Sequence, residues 1–302
     1  IGFIIAFLYG ACSASMAFVN KAVLSYYKFN FPFFLVSCQM AFTIAILEAL
    51  RLSGNKFLVK FTFERAWTFL LPSIFYAANS VLSLSALYGM NIPMYGVIKR
   101  CAPVVILILG VAILNKPLPQ VSVCLSVGMI TGGCIVAGYG DLTFEPWSYL
   151  CGFSSVLSQA IYLLLVQKHA SDFGAAESLH LNSFNTLPLL LIISLVAQEF
   201  NTALKQFLLN IITLNIGFIL TFTAVIVFGC LLNYLLFLCT TYNSALTTSV
   251  TGTLKTILQT VVGMFTFGGI TLNIYIIFGI ILNFAGGVMY TVFKHKITKD
   301  KS

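Results

Sequence analysis

Charge is scarce in this chain: of 302 residues only 8% are charged, 16 basic and 8 acidic. A soluble domain carries roughly 25%. With 59% hydrophobic residues and a mean hydropathy of +1.00, too little polar surface remains to cover a core facing water. The solvent is lipid. Lipid demands that every backbone amide be paired within the fold, which leaves helices or a closed barrel. Barrel strands alternate polar and apolar residues over about ten positions. This chain instead has unbroken apolar runs such as 31–50, so the expected fold is all-α.

Other absences narrow the function. The eight cysteines, at 12, 38, 101, 124, 134, 151, 230 and 239, form no CxxC pair and have no histidine at ligand spacing. They read as small hydrophobes rather than a zinc site or a disulfide framework. HExxH, GxSxG and P-loop motifs are missing, and no carboxylate pair lies at membrane depth, so neither an enzyme nor a cofactor is expected. Intramembrane acids are also what a proton-coupled pump needs. The net charge of +8 does not imply nucleic acid, because no basic stripe is interleaved with aromatics. No N-x-[ST] sequon marks a lumenal loop. The chain begins at Ile1 rather than Met, so a preceding segment is expected.

About twenty apolar residues span a bilayer core. Ten runs meet that test, at about 1–24, 31–50, 67–89, 93–115, 118–138, 146–167, 178–198, 213–240, 245–268 and 271–293. Turn-forming breaks separate them, including 89–93, 115–119, 140–143 and Gly268-Gly269. With both termini cytosolic, the cytosolic loops hold Arg51, Lys56, Lys60, Arg65, Lys116, Lys168, Lys294, Lys296, Lys299 and Lys301. The lumenal side holds only Lys28 and Lys205, a clear positive-inside bias. Residues 294–302 form a basic cytosolic tail.

The chain also resembles itself. Gly96-Val-Ile-Lys99 opens the fourth run and Gly252-Thr-Leu-Lys255 lies in the ninth. Asn79 and Asn233 precede these lysines by 20 and 22 residues, each in the helix before. The expected architecture is therefore ten transmembrane helices as two inverted five-helix repeats, about 1–138 and 146–293, forming one transporter domain over 1–302.

Lys99 and Lys255 approach the membrane midplane, where a cation costs roughly 2.5–3.5 kcal/mol. Of the acids, only Glu48 falls within a run, and it sits at the cytosolic end. A basic, unneutralised core is resolved by a hydrated cavity whose counter-ion is an anionic substrate, and phosphate suits ammonium groups. Structural pairing with backbone carbonyls is the competing reading. Lys21 is expected to snorkel to the interface, and Arg100, about 100° around the helix from Lys99, to face elsewhere. Tyr76, Asn79, Ser80, Tyr95, Asn182, Ser183, Asn185, Asn233, Tyr234, Tyr242, Asn243, Thr247 and Thr248 supply amides, hydroxyls and rings. Singly each reads as helix-to-helix bonding; together they suit a base, a ribose and a hexose.

At Asn20-Lys21, Pro93-Met-Tyr-Gly-Val-Ile-Lys-Arg100, Leu181-Asn-Ser-Phe-Asn-Thr-Leu-Pro188 and Tyr242-Asn-Ser-Ala-Leu-Thr-Thr248 the sequence resembles the nucleotide-sugar transporters of the drug/metabolite transporter superfamily. The last stretch is similar to the branch carrying UDP-sugars such as UDP-N-acetylglucosamine, UDP-glucose and UDP-glucuronate. The resemblance implies a ten-helix antiporter working by alternating access in the Golgi membrane, or second in the ER. It would exchange a nucleotide-sugar for a nucleoside monophosphate, with a homodimer among the assemblies open to it. Tyr95 and Lys99 match the family's Tyr-x-x-x-Lys. The guanine-type FYNN motif reads His180-Leu-Asn-Ser183 here, keeping Asn182 with Ser183 beside it. The family's GALNK reads Gly252-Thr253-Leu-Lys255-Thr256. Both departures favour a UDP-sugar with UMP as counter-substrate. By position Asn233, Thr248, Gly252 and Thr253 would also line the site. The alternatives are a GDP-mannose-type or other organic-phosphate exchanger, a carrier-shaped regulator without transport, and an exporter of apolar drugs or amino acids.

Overall fold

A computed structural model describes residues 1–54, 60–89, 95, 98–115, 119–138, 146–253 and 274–299, and all regular structure among them is helical. The chain runs through α1 (Gly2–Lys21), α2 (Pro32–Leu52), α3 (Phe63–Thr68), α4 (Leu70–Gly89), α5 (Ala102–Leu114) and α6 (Val121–Gly138). There follow α7 (Pro146–Lys168), α8 (Ala175–Val196), α9 (Glu199–Ile212), α10 (Ile216–Tyr242), a helical stretch over 245–253 taken as α11, and α12 (Ile274–Lys299). The helices from Pro32, Pro146, Ala175 and Ile216 are long and apolar enough to cross a membrane. The protein is a multi-pass membrane protein.

Each of the ten expected runs carries helix among its described residues, most of them close to the expected limits. Of the run at 245–268 the described part is 245–253. The breaks at 90–93, 116–118, 140–143 and 268–269 lie outside the described residues. So do Lys56, Lys116, Lys301 and the end of the tail.

Two local features depart from the expected runs. The fourth is interrupted: Cys101 caps α5 with Pro103 in its first turn, so α5 is only 13 residues long. Proline has no N–H, and the carbonyl four residues before it, that of Lys99, loses its helical donor. The second departure is α9, read from sequence as part of a lumenal loop. Gln198, in a left-handed conformation with φ 57°, turns the chain into it. Its Glu199 accepts the Phe33 N–H at 3.1 Å, serving the first turn of α2, whose own N-cap Phe31 has no side-chain acceptor. Burial pushes the Glu199 carboxyl above the ordinary carboxylate range, against the lowering effect of that backbone bond.

The chain forms two compact units, Ile1–Ala77 with His169–Tyr242, and Ala78–Lys168 with Asn243–Ser302. Each draws on both halves of the sequence. In the first unit α2 packs on α8 and α10 on α1. One end holds an aromatic cluster in which Phe29, Phe34, Phe218 and Phe222 are buried against Phe200 and Phe207 of α9. Deeper in, the Gln39 amide lies where a Cβ on Gly229 would stand and donates to the Val225 carbonyl at 3.3 Å.

In the second unit α6 and α12 run in close contact. A Cβ on Gly133 would stand 2.6 Å from the Gly279 oxygen and 2.7 Å from the Asn283 nitrogen, and one on Gly286 would stand 2.9 Å from the Ile130 nitrogen. Small residues let two backbones approach where lipid gives no hydrophobic drive to associate. Asn283 then donates across the pair to the Ile130 carbonyl at 2.7 Å.

Candidate functional site

The second unit places Lys99 just before the break at Cys101, one turn beyond Tyr95. Its ammonium donates to Asn79 Oδ1 at 2.7 Å and to Gln159 Oε1 at 3.3 Å. The Tyr95 ring lies 5.9 Å from the nitrogen, within reach of a cation–π attraction. Ser83 also donates to Asn79 Oδ1 at 3.3 Å. Beneath this group Ile98 and Ala102 pack on Tyr149 and Val156 of α7, which sets α7 against the start of α5. Among the described residues Lys99 forms no ion pair. Both of these acceptors are neutral.

Acids of the first unit are engaged there. Glu48 takes the Arg51 guanidinium at 2.7 Å and His180 Nε2 at 2.9 Å, and Glu177 pairs with Arg65. Asn185 donates to the Ala66 carbonyl at 2.8 Å and to Ser73 at 3.4 Å, so it ties α8 to α3 and α4. On the same helix Asn182 is fully buried. Its oxygen accepts from Thr186 at 3.5 Å, while its amide nitrogen has no hydrogen-bond partner among the described residues. Buried Asn233 accepts from the Tyr76 hydroxyl at 3.3 Å.

Thus Asn79, Tyr95 and Lys99, read from the sequence, do come together, with Gln159 as the member that reading missed. Tyr76 and Asn233 form a second polar pair, in the first unit. Three other expected hydroxyls are turned onto their own helices: Ser183 on Leu179 at 2.8 Å, Thr248 on Ser244 and Thr253 on Ser249, both at 3.1 Å. This is the usual resting place of serine and threonine in a helix. Gly252 is half-buried in α11, and Lys255 and Thr256 lie outside the described residues. Gln159 carried one signal in the sequence, a carboxamide inside an apolar run.

The arrangement can receive an anion. A lysine ammonium has three donors, and two neutral oxygens orient it without cancelling its charge. Carboxamides have no charge to lose and no acid–base chemistry to offer.

The profile of the Triose-phosphate Transporter family matches residues 1–291. A UDP-galactose/UDP-glucose transporter of Arabidopsis thaliana is 36% identical, the alignment covering 100% of this chain and 92% of that one. A nucleotide sugar transporter of Homo sapiens is 32% identical over 95% of this chain and 84% of its own. A solved crystal structure matches over 98% of both chains with a TM-score of 0.71 at 13% identity, which shows a shared fold. The chain therefore belongs to the triose-phosphate transporter family, among the nucleotide-sugar transporters of the drug/metabolite transporter superfamily.

Proposed function

We propose that this protein imports a UDP-sugar, such as UDP-N-acetylglucosamine or UDP-glucose, into the Golgi lumen, or second the ER lumen, in exchange for UMP. The observation that carries this reading is the Lys99 ammonium held by neutral amides with no acid partner among the described residues. A phosphate supplies the missing charge. Lys99 and Lys255 take the phosphates, with Tyr95 and Asn79 beside Lys99. Asn182, Ser183, Asn233, Thr248, Gly252, Thr253 and Thr256 contact base and sugars. The buried Asn182 amide nitrogen, without a hydrogen-bond partner among the described residues, supports its share, since an unsatisfied buried donor is costly unless a ligand meets it.

The architecture we assign is ten spans in two inverted five-helix repeats, 1–138 and 146–293, within one transporter domain and with both termini cytosolic. Two pairings support the repeat. The second and seventh spans pack together as α2 and α8, the fifth and tenth as α6 and α12. These are equivalent members of the two halves, as an axis relating inverted repeats requires.

Exchange follows from charge. An empty basic site must cross the low-dielectric midpoint of the cycle uncompensated, whereas a nucleoside monophosphate returns with charge to neutralise it. It lowers that barrier by its differential affinity for the occluded state. The test is uptake of labelled UDP-sugar into proteoliposomes loaded with UMP, GMP, AMP or nothing. UMP loading should accelerate uptake most. Equal uptake into empty and UMP-loaded vesicles would overturn exchange, and faster uptake against GMP would overturn the uridine assignment.

A further inference from the structure

We infer that Gln159 is a positioning residue: with Asn79, its neutral carboxamide aims the Lys99 ammonium while leaving its charge uncompensated, which keeps the cluster a receptor for phosphate. This rests on the reading that Lys99 meets the substrate's phosphates.

The geometry points to Gln159 in particular. It lies three residues from Val156 on α7, hence on the same face of the helix. Val156 is buried against Ile98 and Ala102, so packing of α7 on the start of α5 turns Gln159 toward Lys99. The two acceptors reach the ammonium from α4 and α7, at 2.7 Å and 3.3 Å, and two directions of pull fix a flexible lysine better than one. Lys99, Asn79 and Gln159 are all half-buried rather than sealed in the core.

A glutamate would reach as far, accept the same bond and hold the lysine more tightly. It would also serve as a permanent counter-ion and leave the pair with no net charge. The substrate's phosphate would then have to displace an internal carboxylate. A glutamine has a second use, because each carboxamide carries an N–H₂ group beside its oxygen. Ammonium and amide N–H₂ groups are all donors, and ionised phosphate oxygens can only accept. The cluster is thus matched in hydrogen-bond sense as well as in charge.

The test compares Gln159→Glu with Gln159→Met by transport and by UMP-induced thermal stabilisation of the purified protein. If Gln159 served only to hold the fold together, Met, which loses the bond, would do more harm than Glu, which keeps it. The inference predicts the opposite order. Gln159→Glu should raise the half-saturating UDP-sugar concentration about 30-fold or more. The substrate-free protein should melt at or above the wild-type temperature, and UMP should no longer stabilise it. Gln159→Met should raise half-saturation no more than about tenfold and retain part of the UMP shift. If Gln159→Glu does not fold, Asn79→Asp places the same charge on the same ammonium and carries the same expectation. A wild-type UMP shift and wild-type half-saturation in the Glu variant would overturn the role of Gln159 alone. A wild-type protein that neither exchanges nor responds to UMP would overturn the functional reading and this inference with it.

Discussion

At Lys99 a charge that costs roughly 2.5–3.5 kcal/mol at the centre of a membrane helix is held by amide oxygens, with no acid partner among the described residues. Its own carbonyl loses a helical donor to Pro103, so the cation stands where the helix is already broken. Removing it should leave the fold intact and remove the anion's anchor. Lys99→Ala is expected to lower UDP-sugar exchange about 30-fold or more with normal expression and monodispersity. Lys99→Arg should also lose activity, because a planar fork replaces a compact ammonium. Wild-type exchange by Lys99→Ala would remove Lys99 from the site. Much of this cluster was legible: a lysine in an apolar run, a tyrosine one turn before it, and an asparagine in the preceding helix. Gln159 was not, because its contact spans 60 residues and no spacing rule brings α7 to α5. Nor can a sequence tell that the Ser183, Thr248 and Thr253 hydroxyls donate to carbonyls four residues back.

Among the elements, α6 and α12 show the cost of close backbone approach. Gly133→Ala should destabilise the protein by about 1–3 kcal/mol, since its Cβ would meet backbone atoms 2.6 and 2.7 Å away that cannot swing aside. The neighbouring Gly132→Ala should be close to neutral, as a Cβ there would meet no neighbouring group within 4 Å. Thermal unfolding in detergent measures both, and equal melting temperatures for the two variants would sink the contrast. Helix existence was legible from the apolar runs. The α9 helix was not, because its pattern of Phe200, Ala203 and Phe207 facing inward serves a short helix beside the bundle rather than a span. Its residues Leu204, Leu208 and Ile211 remain exposed to the surroundings. The break before α5 had a visible cause in Pro103, yet proline is tolerated inside α8, where Pro188 leaves the helix running. The same residue type thus has two outcomes, and neighbouring packing decides between them.

For the whole molecule the testable statement is orientation. Single cysteines introduced on a cysteine-free background at Ser53 and Lys60 should react with an impermeant thiol reagent from the cytosolic side. Cysteines at Asn201 and Thr202, both exposed on α9, should react only from the lumen. Labelling of the Ser53 and Lys60 positions from the lumen alone would invert the topology. That this protein lives in lipid and is helical follows from amino-acid order alone, because the balance of apolar to charged residues admits no other solvent and unbroken runs admit no barrel. The same order singled out Lys99 and Lys255, since a lysine in an apolar run is costly. Which elements share a unit emerged only on folding, for each unit takes helices from both halves of the chain. So did the meeting of Lys99 with the Asn79 and Gln159 amides, because a hydrogen bond's partner is chosen by packing across the bundle, which distance along the chain does not encode.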